Sequence, residues 1–102
     1  MGKNKDLDIL IRLIANTIVH EIVIRHTNRP ESEHFLESEI IEYRGQAKKT
    51  AKSHNWNNDD KQYVEDNAQI KIKEKLKIKY SDVLFKDEEI VKNLKKIVNE
   101  LM

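Results

Sequence analysis

An all-α fold is what this sequence predicts: a small antiparallel bundle of about four helices whose core a second copy would complete. Three observations lead there. Only Gly2, Gly45 and Pro30 are strong turn-formers, too few for the frequent turns of a β-sandwich or barrel. Apolar residues recur at spacings of three and four in four separate stretches. They make up only 38% of the 102 positions, against 36% charged, so the chain can bury one thin core but no deep internal pocket. A single domain over residues 1–102 is expected, with helices over about 6–26, 30–54, 58–80 and 87–101.

The first helix is read from Leu7, Ile11, Ile14, Ile18 and Ile22, with Leu10 and Ala15 widening the stripe. Asp6 is its expected N-cap, and Arg25 and His26 stand where a helix C-terminus favours positive charge. Ile9, Leu13, Val23 and Ile24 form a second apolar patch on the far side. A helix apolar on two sides is either central in its bundle or shared with another subunit. The second helix opens at TNRPESE, where Pro30 suits a first turn and Asn28 with Glu31 makes a capping-box pattern. Leu36, Ile40, Tyr43, Ala47, Thr50 and His54 follow at alternating spacings of four and three. Gly45 in this run costs roughly 1 kcal/mol relative to alanine, and marks either a close helix crossing or a plain surface position.

SHNWN, residues 53–57, reads as a turn with Trp56 as a lid over the bundle end. Asn57 or Asn58 then caps a third helix whose first turn holds Asp59 and Asp60. The fourth helix, in KDEEIVKNLKKIVNELM, sets acids first and lysines later. Its Ile90, Val91, Leu94, Ile97, Val98 and Leu101 share one face.

The stretch QIKIKEKLKIKY, residues 69–80, admits two readings. As a strand it puts Ile70, Ile72, Leu76, Ile78 and Tyr80 on one face and five lysines on the other, broken only by Glu74. As a helix it continues a stripe of Val64, Ala68, Ile72, Leu76 and Tyr80. A strand needs a partner, and only residues 19–25 offer one. Lys, Glu, Gln and Leu are also good helix formers, so helix is the expectation. Lys71, Lys73, Lys75, Lys77 and Lys79 then spread around the circumference instead of forming one blade. If helices two and three make a hairpin about residues 55–57, these lysines lie beside Glu31, Glu33, Glu37, Glu39 and Glu42. Opposed charge blocks of this kind fix register. Charge matching is therefore the expected role of the lysines; a nucleic-acid-binding face made of the same five is the alternative.

Little in the chain points to catalysis. The absence of cysteine excludes disulfides, thiolate chemistry and zinc–sulfur sites, and agrees with a reducing compartment. His20 and Glu21 begin an HExxH pattern, but position 24 is Ile. Glu31 and His34 match half of a di-metal carboxylate site, with no second pair to complete it. No metal and no cofactor are expected. RPESEH, residues 29–34, is similar to the R-x4-H spacing of the helical HEPN ribonuclease family. That resemblance implies an Arg29–His34 pair at a helix start, polarising an RNA phosphate and 2′-hydroxyl. It spans six residues, and Pro30 stands where that family has a polar residue.

Residues 7–24 are interrupted by Arg12, His20 and Glu21, which argues against a membrane span or signal peptide. A net charge of +1 names neither a polyanion nor a polycation as obligatory partner. The expectation is a cytoplasmic, non-enzymatic protein. Its leftover apolar residues, Ile9, Leu13, Val23, Ile24, Tyr63 and Ile70, exceed what a small monomer comfortably exposes. They point to a protein–protein interaction or assembly module, homodimeric with helix one in the interface. RNA or DNA binding, or HEPN-like cleavage by Arg29 and His34, is the alternative.

Overall fold

One helix, α1 (Lys3–His26), is apolar on nearly every side, and the rest of the chain is arranged to cover it. The computed structural model describes residues 3–26, 30–79 and 86–102, and of residues 30–33 the backbone only. Three further helices follow, α2 (Pro30–Ala51), α3 (Asn58–Lys79) and α4 (Asp87–Leu101), with no strand among the described residues. At 1.5 Å per residue α1 spans about 36 Å, close to the molecule's 40 Å long axis.

The inward stripes are those read from the sequence. α3 turns Val64, Ala68, Ile72 and Leu76 fully inward, and α4 buries Ile90, Leu94, Ile97 and Val98. α2 contributes Leu36, Ala47 and Ala51, with Tyr43 packed at the margin. The alternating stretch is helical through Lys79, while Tyr80 and Asn28 lie outside the described residues. Thr17, the one polar residue among the fully buried side chains, donates its hydroxyl to the Leu13 carbonyl at 2.8 Å and so meets no desolvation penalty.

Two expectations need correction. Leu13 and Val23 are only 3% and 4% exposed within a single chain, so α1 is central and these two need no second subunit to cover them. Nor do α2 and α3 pack as a hairpin. They lie at opposite corners of the bundle, each against α1, and α4 closes the fourth side against α3. The physical reason is α1 itself. Its two-sided apolar surface wedges between α2 and α3, and the connection between them crosses over its first turns. There His54 meets the Asp6 carboxylate at 2.6 Å, and the Lys3 ammonium stands 5.7 Å from the centre of the Trp56 ring. Asp6, expected as an N-cap, therefore lies inside the helix and holds this crossing.

Helix ends are secured locally. α2 stops at Ala51, three residues short of expectation, because the Trp56 indole donates to the Ala51 carbonyl at 2.7 Å. Trp56 is thus both lid and C-terminal cap. Asn57 and Asp60 make a reciprocal capping box: the Asp60 amide donates to Asn57 Oδ1 at 2.8 Å and the Asn57 amide to Asp60 Oδ2 at 3.1 Å. Gly45 is exposed, with nothing within 4 Å of where a Cβ would stand, so no close crossing accounts for it.

Ion pairs fix the helix directions. Arg25 and His26 at the end of α1 meet Glu89 in the first turn of α4 at 3.4 and 3.0 Å. Arg44 of α2 reaches Glu21 of α1 and Glu100 of α4. Lys3 pairs with Asp60 at 2.7 Å, bringing the starts of α1 and α3 together. α1 and α3 are consequently parallel, with α2 and α4 antiparallel to both. No described helix is long and apolar enough to cross a membrane.

Candidate functional site

With α2 at the opposite corner, the lysines of α3 are left without the acids expected to face them. They divide by helical phase. Lys73 turns toward α4 and pairs with Asp87 at 3.6 Å, and Lys77 is exposed. Lys71, Lys75 and Lys79, spaced by four, form one ridge along the seam with α1. The facing ridge of α1 has the same spacing: Arg12, Asn16 and His20. Lys75 donates to Asn16 Oδ1, which ties the two ridges together at mid-height.

The seam is a concentration of like charge. Burial lowers the Lys75 ammonium below the usual lysine range, and Lys79, Lys71 and Arg12 push it further in the same direction. No described residue forms an ion pair with Arg12, Lys71, Lys75 or Lys79. The charged form of Lys75 is thus held at a cost, and a row of cations without carboxylate partners is a ready counter-surface for a polyanion.

Toward the start of α3 the seam widens into a cleft of about 350 Å³, where Lys5, Asp8 and Arg12 face Asn67 and Lys71. Ile9 and Tyr63 give it an apolar wall, Tyr63 standing 47% exposed. At the other end His20 stacks on Tyr43 of α2, ring centroids 5.6 Å apart, and lies 3.4 Å from Glu39. Burial lowers its pKa from 6.5; Glu39 opposes that shift, while Lys75 and Lys79 reinforce it. His20 is therefore neutral near pH 7 and adds no charge to the seam.

The residues singled out from the sequence fall in different places. Lys71 and Lys75 belong to the seam with Lys79, whereas Lys73 and Lys77 do not. Ile9 and Ile24 are half-buried against the core, and Tyr63 and Ile70 are exposed. His34 is exposed on α2, but Arg29 and the Glu31 side chain lie outside what the structure describes. The Arg29–His34 pair and the half metal site thus have no described geometry. Among the described residues no three His, Asp or Glu side chains are grouped to hold a metal ion. Sequence reasoning missed Lys5, Arg12, Asn16 and Asn67. The available signal was the polar ridge at Arg12, Asn16 and His20 on an otherwise apolar helix.

No protein-family model matches this chain, and neither a curated protein nor a solved structure is significantly similar to it.

Proposed function

We propose that this chain is a non-catalytic binding module that engages the phosphate backbone of nucleic acid along the α1–α3 seam. One observation carries the reading: Lys71, Lys75, Lys79 and Arg12 form a row without ion-pair partners among the described residues, since α2 does not pack on α3 and only its Glu39 comes near the row, at His20. Phosphates supply the missing counter-charge and release condensed counterions as they bind, which makes such association favourable and salt-dependent. Near-zero net charge is no obstacle, since cations outnumber acids along the seam, where Asp8 and Glu39 stand only at its two ends. The absence of cysteine supports a reducing, cytoplasmic setting. The reading is tested by fluorescence anisotropy of a labelled RNA titrated with the protein. Saturable binding that weakens as salt rises is expected; no binding at low salt would overturn it.

A second reading, self-association, is favoured by Ile70 and Ile78, which stand out from α3 56% and 78% exposed. Sedimentation giving a monomer across micromolar concentrations would remove it.

A further inference from the structure

Tyr63 and Asp8 each line two adjoining clefts. The first is the cationic mouth of the seam, with Lys5, Arg12 and Lys71. The second, about 480 Å³, adds Asn4 and the carboxylates of Asp59 and Asp60. Asp60 is committed: the Lys3 ammonium and the Asn57 amide hold its carboxyl below the usual range. Asp8 and Asp59 have no ion pair or side-chain hydrogen bond among the described residues, so their oxygens stay open as acceptors. An exposed aromatic ring therefore stands between a cleft where three cations outnumber Asp8 and a second cleft where carboxylates prevail.

A nucleotide has the matching polarity. Its phosphate is anionic, its base has a π face, and adenine, cytosine and guanine carry exocyclic amino donors on their edges. We propose that Tyr63 is a base-stacking platform for single-stranded nucleic acid. The adjacent phosphate sits in the cleft against Lys5, Arg12 and Lys71, whose three charges outweigh that of Asp8 on its rim, and the amino edge of the base turns toward Asp59. This rests on the backbone-binding reading of the seam and adds to it a requirement for an aromatic ring and an unpaired base. In a duplex the bases are stacked and paired, so neither face nor amino edge is offered; a single strand offers both.

The experiment uses the full chain, with short labelled oligo-A, oligo-C and oligo-U strands, a duplex, and inorganic polyphosphate as a probe with no bases. Single strands are expected to bind more tightly than the duplex, and A and C more tightly than U. Tyr63→Ala weakens the single strands about tenfold or more, as loss of one stacked base does, and leaves polyphosphate binding unchanged. Tyr63→Phe retains the affinity, and Asp59→Asn narrows the gap between C and U. If Tyr63→Ala leaves the oligonucleotides unaffected while they and polyphosphate still bind, the platform is wrong and the backbone reading survives. If Tyr63→Ala weakens polyphosphate equally, Tyr63 only supports the fold and the platform is again wrong. If nothing binds, both readings fall.

Discussion

His20 sits where α1, α2 and α3 approach one another, with Tyr43 stacked on its ring and Glu39, Lys75 and Lys79 nearby. Its Nδ1 is buried with no hydrogen-bond partner among the described residues, so a second ring proton would be bound at a cost. The unfolded chain binds that proton with a pKa near 6.5 and the native state only at lower pH. Unfolding therefore takes up a proton in the window just below 6.5, and the native state loses stability there as the pH falls. His20→Phe keeps the stacking on Tyr43 and removes the titration. Urea unfolding should show a shallower acid-side loss in this variant than in the parent, and an identical slope below 6.5 would rule out this role. The position was visible in the sequence only as a polar interruption of an apolar helix. Trp56 was readable as a lid because a lone tryptophan in a turn between two amphipathic runs has few other places to go. The tertiary role of Asp6 was not readable, since nothing local distinguishes a cap from a first-turn acid that reaches a histidine 48 residues away.

At the scale of the element, α3 shows how far local pattern reaches. Residues 69–80 alternate well enough to pass for a strand, and what decides the matter is phase. On a strand Ile70 and Ile72 would share a face; on α3 Ile72 is fully buried and Ile70 exposed. Ile72→Ala should cost about 2–5 kcal/mol, whereas Ile70→Ala should change stability by no more than about 0.5 kcal/mol. Chemical denaturation measures both, and comparable losses at the two sites would contradict the helical phase. The inward stripes of α3 and α4, and the capping box at Asn57, were legible because spacing and caps are properties of one segment. Which helices touch is not such a property. The acids of α2 and the lysines of α3 invite pairing on paper, yet the hydrophobic demand of α1 outweighs surface ion pairs worth about 0–1 kcal/mol each. The signal for that outcome was the second apolar patch at Leu13 and Val23, which read equally well as a subunit interface.

Across the whole molecule, the placement of α1 between α2 and α3 does two things at once. It completes a core within one chain, and it leaves a row of cations in a seam where burial and the neighbouring cations disfavour the charged form of Lys75. The seam was not legible in the sequence because its two ridges come from helices far apart in the chain, and because a net charge of +1 hides the local excess. The most direct measurement is the salt dependence of single-stranded RNA affinity, compared between the parent and a Lys71→Gln, Lys75→Gln double variant. Lys48→Gln with Lys49→Gln on the exposed side of α2 serves as the control. The double variant in the seam should bind more weakly and lose roughly 0.7 from the log–log salt slope per lysine removed, while the control keeps both affinity and slope. Equal slopes in all three proteins would contradict the account.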